Sequence, residues 1–381
     1  MQKYRFTDDE GSFLLNNPEQ MSYLYFPLAN MEGVMSSITP ELSGDSKTSQ
    51  NTFLLSPVSS EDLHNNKSSR NFWCKINHTS IWSATGKSAW QQAKKFSKDK
   101  EETQLEAGFL WHKITRISKE FGLKAGITSF VPTNDDKVEL MKVELSNIGS
   151  EPITLEPVAA IPLYCRSADN IRDHRHVTSL LHRIEVLDRG IIVNPTLTFD
   201  ERGHKINEIV YGVLGGNDSV FPSKFYPTVD SFIGEGGSFE NPRALQDDRL
   251  NPMKSGDKIN GYEAFGGLGF EEIILQPDES KVYIIALGYG NTKEDFIVYG
   301  EKYLSEKAFH KAFEEMKAYW KTQLNVRFET GDEKFNHWMR WVTIQPILRR
   351  IYGCSFLPHH DYGKGGRGWR DLWQDCLALL L

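Results

Sequence analysis

Up to about residue 290 this sequence consists of short runs of β-branched and aromatic residues separated by turn chemistry, with little helical periodicity. Nothing else limits the fold as much. Strands without interleaved helices cannot build parallel βαβ units, so they must pair antiparallel, in a large sandwich. Extended runs are expected at 21–28, 52–56, 183–187, 207–213 and 280–288. Residues 137–147 and 153–162, joined by Ile148-Gly-Ser-Glu-Pro152, read as the clearest hairpin. Val143 and Leu145 alternate with Lys142 and Glu144, giving one wet face, whereas the return strand is apolar enough to be buried. Gly215-Gly-Asn and Gly266-Gly-Leu-Gly read as turns.

After Gly290 the period changes. Residues 294–305 and 306–325 read as helices; in the second, Phe309, Phe313, Met316, Trp320 and Leu324 recur every three or four residues, opposite Glu314, Glu315, Lys317 and Lys321. A short extended connector, 326–330, leads to a helical pattern from Glu333 to Tyr352, with Phe335, Trp338, Met339 and Val342 on one face and a break expected at Pro346. The fold class is therefore mainly β with α: a large antiparallel β-sandwich over 1–291, a helical linker over 292–330, and the opening helices of an all-α domain over 331–381. Leu372, Trp373, Cys376, Leu377 and Leu380 continue at helical spacing to Leu381 without a stop signal. The chain is thus expected to be an N-terminal fragment.

Composition excludes several functions. A net charge of −7 without a basic stripe argues against nucleic acid as a partner. Cys74, Cys165, Cys354 and Cys376 are widely spaced, which suits neither a zinc site nor a disulfide framework and fits a reducing, cytoplasmic setting. Residues 1–10 have no apolar h-region and no stretch of 18 apolar residues exists, so neither a signal peptide nor a membrane span is expected, and the sequons at Asn66, Asn77 and Asn217 are expected to be unused. Asp173-His-Arg-His176, with His182 beyond, lacks a further ligand at metal spacing and reads as one face of a polar strand. The polar stretch 59–73, ending in Phe72 and Trp73, is either a solvated loop or the lining of a sugar cleft.

The candidate site is Tyr362-Gly-Lys-Gly-Gly-Arg-Gly-Trp-Arg-Asp-Leu-Trp-Gln-Asp375. Its four glycines allow backbone to approach a ligand closely, but the spacing matches neither a phosphate loop nor a dinucleotide fingerprint. Asp371 and Asp375 share a helix face, at a cost of a few tenths of a kcal/mol, and Gln374 is near both. Arg367, Arg370 and the carboxylates beside Trp369 and Trp373 offer what a sugar ring needs: a C–H face to stack on and hydroxyls to grip. N-terminal capping by Asp371 is the plainer explanation of the same residues.

With Ser22–Asn30, Ser37–Lys47 and the loop from Ser59 to Trp73, this motif makes the chain resemble the inverting phosphorylases of glycoside hydrolase family 94, closest to the 1,2-β-oligoglucan phosphorylase branch. The resemblance implies an N-terminal supersandwich, a helical linker and an (α/α)6 barrel, here truncated, in a homodimer. It implies that Arg370 and Asp375 hold the non-reducing-end glucose, braced by Asp371 and Gln374 and flanked by Trp369 and Arg367. It further implies that the general acid Asp lies beyond the chain end, that no cofactor or metal is needed, and that the substrates are a β-glucooligosaccharide and inorganic phosphate. A cellobiose- or chitobiose-type phosphorylase, a glycoside hydrolase on the same plan, and a non-catalytic carbohydrate-binding or dimerising module are the alternatives.

Overall fold

The computed structural model describes residues 4–21, 24–58, 69–200, 203–247 and 250–352, together with Trp369 and Trp373. Among these, an antiparallel sheet of eleven strands forms the larger layer. Its order is Tyr4–Phe6, Phe13–Asn16, Glu102–Gly108, Trp111–Ser118, Leu123–Phe130, Val138–Asn147, Ser280–Gly290, Val210–Gly216, Gly190–Val193, Arg183–Leu187 and Lys258–Asn260. The facing layer runs Lys224–Thr228, Ala264–Gly269, Ile153–Pro162, Asn71–Ile76 and Ser80–Ser83, with Ile273–Leu275 also on Ile153–Pro162. Between the layers, side chains such as Ile127, Val143, Ile161 and Ile285 are fully buried, and Tyr283 packs against Phe72 and Phe270 at 5.4 and 4.6 Å. A smaller sheet, Phe26–Ala29, Met35–Ile38, Ser46–Ser49 and Thr52–Leu55, closes one side.

The expected hairpin at 137–162 does not form. Val138–Asn147 pairs with Leu123–Phe130 and Ser280–Gly290, whereas Ile153–Pro162 belongs to the other sheet. The turn carries the chain across the sandwich, because both strands are buried enough to need neighbours on each side. The glycines at 215 and 266 are likewise in strands, not turns. A Cβ on Gly215 would stand 2.9 Å from Leu268 Cδ1, and one on Gly266 would stand 3.0 Å from Val213 Cβ. Here the two sheets come too close for side chains on both. Residues 21–25 lie ahead of the strand Phe26–Ala29, and the strand expected at 207–213 begins at Val210.

Among the described residues, three short α-helices interrupt the strand region: α1 (Ala89–Lys94), α2 (Arg175–Ser179) and α3 (Val229–Ile233). His176 lies in α2 and His174 is its N-cap residue, so Asp173–His176 is not a strand face. His182 is fully buried, and burial with the neighbouring Arg166 charge lowers its pKa to about 3.

The C-terminal helices are α4 (Lys293–Tyr303), α5 (Glu306–Gln323), α6 (Glu333–Thr343) and α7 (Gln345–Tyr352). Ser305 Oγ accepts from Ala308 N at 3.1 Å and Asp332 Oδ1 from Phe335 N at 3.1 Å, capping α5 and α6. The apolar stripe of α5 lies on the outer face of the eleven-stranded sheet, where Phe309 meets Phe130 at 5.1 Å and Phe313 meets Trp111 at 5.3 Å. The break near Pro346 is present: α6 ends at Thr343 and α7 starts at Gln345. The face named from the sequence is turned outward, with Phe335, Trp338 and Val342 44%, 47% and 47% exposed. Arg340, Ile344 and Leu348 are buried instead.

Candidate functional site

Of the residues expected to grip sugar, Arg367, Arg370, Asp371, Gln374 and Asp375 lie outside the described residues, as does the glycine loop before them. Trp369 and Trp373 are helical and 80% and 61% exposed.

The helices α6 and α7, which precede that motif in the sequence, are tied to the sandwich by polar contacts. Arg340, buried on α6, donates through Nη1 to Leu324 O (2.9 Å) and Val326 O (3.0 Å), and through Nη2 to Glu10 Oε2 (2.9 Å). Glu10 also receives Arg327 at 2.7 Å and Lys321 at 3.0 Å. Burial opposes its charge, but those two partners and the Arg340 charge hold its carboxyl at about 2. Trp341 Nε1 donates to Gly11 O at 2.7 Å, and Trp338 Nε1 donates to Tyr4 Oη at 3.2 Å. The first two strands therefore seat α6.

α7 is seated by its last residue. Tyr352 Oη lies 3.1 Å from Leu28 O and 2.8 Å from Ser36 O, sharing its one hydrogen between two carbonyls of the small sheet. Burial, and then the Asp45 charge, raise its pKa well above the ordinary tyrosine range. Close by is a buried polar cluster. The Arg70 guanidinium forks onto Glu139 through Nε and through Nη2, the latter 2.9 Å from Oε2, and both side chains are wholly buried. Ser36 Oγ donates to Glu139 Oε2 at 2.6 Å, and Arg70 Nη2 donates to Asp45 O at 2.9 Å. Asp45 Oδ1 accepts from Ser37 N at 3.2 Å, with Lys47 Nζ 3.8 Å from its other oxygen. His112 is fully buried nearby; burial lowers its pKa to about 4, with the Arg70 charge acting the same way.

This cluster fixes the loop 39–45 between two strands of the small sheet. Gly44 is obligatory there: its φ is +139° and a Cβ would overlap Ser37 O at 1.7 Å. Glu41, on the same loop, is gripped by Lys87 at 2.9 Å and Lys95 at 2.7 Å. Burial works against ionisation, yet these two cations bring its pKa down to about 2. The arrangement is one of positioning: Glu139 is set against Arg70, Asp45 against Lys47, and Glu41 against Lys87 and Lys95.

Sequence reasoning missed Glu139 although a signal was present. Glu139 shares strand parity with Met141, Val143 and Leu145, so a carboxylate stood on the apolar face and required a buried cation. Arg70 lies in the stretch expected to be a loop or a cleft; residues 59–68 of it are outside the described residues, while Phe72 and Trp73 are core, 0% and 1% exposed. A cleft of about 340 Å³ lies elsewhere, between α4 and the turn at Asp188 and Arg189.

The sequence profile of the glycosyl hydrolase 94 supersandwich domain matches residues 36–306. No curated protein matches the chain. Among solved structures, a bacterial glucoamylase complexed with acarbose superimposes with a TM-score of 0.50 at 9% identity, over 84% of this chain and 40% of that one. A protein described as a kojibiose phosphorylase, from the human microbiome, gives 0.34 at 10% identity, over 91% of this chain and 39% of that one. The first is a likeness of fold; the second is too loose to bear on function. This chain spans about two-fifths of the length of either.

Proposed function

This chain belongs to glycosyl hydrolase family 94, and from that we propose that it is the N-terminal part of an inverting carbohydrate phosphorylase acting on β-1,2-linked glucooligosaccharides. The observation that carries the reading is the family match over 36–306, joined to the Arg370–Asp375 motif that follows α7 in sequence.

In this reading Arg370 and Asp375 hydrogen-bond the hydroxyls of the non-reducing-end glucose, Asp371 and Gln374 brace them, and Trp369 and Arg367 flank the ring. One Asp from a later part of the enzyme protonates the glycosidic oxygen while phosphate attacks the anomeric carbon from the opposite face. The product is α-glucose 1-phosphate. Phosphate replaces the base-activated water of an inverting hydrolase, so a single catalytic carboxylate suffices. No cofactor takes part, and the working enzyme is a cytoplasmic homodimer with an (α/α)6 barrel. Among the described residues no helix is long and apolar enough to cross a membrane.

The test is product analysis with the full-length enzyme. Phosphate-dependent release of α-glucose 1-phosphate from β-1,2-glucooligosaccharides is expected, with none from the 381-residue chain alone. Release from cellobiose or chitobiose instead would reassign the linkage. Free glucose without phosphate dependence would make it a hydrolase.

A further inference from the structure

The turn joining the strands Asn71–Ile76 and Ser80–Ser83 has Asn77 and His78 both at positive φ, 48° and 61°. It is tied to the neighbouring strand: Asn77 Oδ1 accepts from Thr154 N at 3.0 Å, and Asn77 N donates to Thr154 O at 2.9 Å. The tie brings the His78 ring to Glu156 on that strand and to Glu272, which follows the strand Ala264–Gly269. His78 Nδ1 lies 3.6 Å from Glu156 Oε1 and 3.4 Å from Glu272 Oε2. One donor atom from each of the three lies within 4.8 Å of the others.

These distances can be compared with what a metal requires. A tetrahedral zinc ion with nitrogen and oxygen ligands at about 2.0–2.1 Å has donor–donor edges of about 3.3–3.4 Å. Both histidine–carboxylate edges are already within a few tenths of an ångström of that. The carboxylate–carboxylate edge can close by rotation of the Glu272 side chain, which is 45% exposed. One imidazole nitrogen with two carboxylate oxygens is a donor set for a borderline divalent ion, with a fourth position left to water.

We propose that His78, Glu156 and Glu272 bind a zinc-class divalent cation, which clamps the turn, the central strand and the following connection of the smaller layer into one unit. The site is independent of the phosphorylase reading. Lys75 Nζ and Lys224 Nζ stand 3.8 and 3.6 Å from Glu156. Their charges compete with the cation, so affinity is moderate and is set partly by them.

The purified chain, freed of any affinity tag, is titrated with zinc chloride by calorimetry and by thermal melting, beside His78→Asn, Glu272→Gln and Lys224→Ala. Asparagine is used at 78 because it tolerates positive φ; if that variant fails to fold, Glu272→Gln carries the test. One zinc equivalent is expected to bind and raise the melting temperature. Each ligand variant should bind roughly 100-fold more weakly, while Lys224→Ala binds more tightly than the wild type. A wild type that zinc neither binds nor stabilises would overturn the proposal and leave the three side chains a polar cluster at the surface. Binding that survives both ligand variants would place the ion elsewhere and overturn it equally.

Discussion

Arg70 and Glu139 sit side by side without solvent, so separating them leaves a bare charge in the core. Arg70→Met or Glu139→Gln is expected to cost about 3–5 kcal/mol in denaturant unfolding, and Arg70→Met with Glu139→Leu should recover part of that loss. Additive losses in the double variant would show that the pair is not coupled. Glu41 gives a pH signature. Its folded pKa of about 2 lies below the ordinary 4.5, so its contribution is fully present above 4.5 and lost as pH falls from 4.5 toward 2. The amount is about 3 kcal/mol, and Glu41→Gln should flatten the stability profile over that acid range. The motif residues are tested by kinetics. In the full-length enzyme, Arg370→Ala and Asp375→Ala should each lower kcat/KM by roughly 10- to 100-fold, the worth of one charged hydrogen bond, at an unchanged melting temperature. A lowered melting temperature with near-normal kinetics would make them capping residues.

At the scale of elements, the packing of α6 and α7 rests on a few polar contacts beside a modest apolar face. Arg340→Ala and Tyr352→Phe should therefore speed hydrogen exchange through 333–352 and leave the amides of Val138–Asn147 and Ser280–Gly290 slow. Equal acceleration in both regions would mean that the helices and the sheet open together. The C-terminal helices were legible in the sequence, down to the break at Pro346, because periodicity and proline geometry are local properties; the short helices α1–α3 and the buried face of α6 were not. The strands as a class were legible for the same reason. Their partners were not: Val138–Asn147 and Ile153–Pro162 are adjacent in sequence yet belong to opposite layers, and no local signal chooses between a hairpin and a crossing. Gly215 and Gly266 carry turn chemistry by composition and serve instead to let two sheets meet, which only the facing strand reveals. Glu139 could have been found, by asking why a carboxylate alternates with core residues. As for the candidate site, its residue types are legible in the sequence, while the pairs Glu10–Arg340 and Arg70–Glu139, which help to set the ground plan before it, join residues far apart in the chain.

At the scale of the whole molecule, the two largest cores among the described residues lie between the sheets and where α4 and α5 cover the outer face of the larger sheet. A chain cut after residue 290 bares Phe130, Ile284 and Ala286 on that face, so it should melt lower and self-associate more than one cut after 325, as calorimetry and light scattering would reveal. Equal behaviour of the two would mean that the second core adds nothing to the fold. The contact between Glu10 and Arg340 has a further consequence, for the order in which the protein can be made. The two residues are 330 apart. At ribosomal speeds of roughly 5–20 residues per second, Glu10 emerges roughly 15–65 s before its partner. Throughout that interval Tyr4, Phe6 and Glu10 wait without the helices that complete them, so the earliest strands of the nascent chain are among the last to be finished.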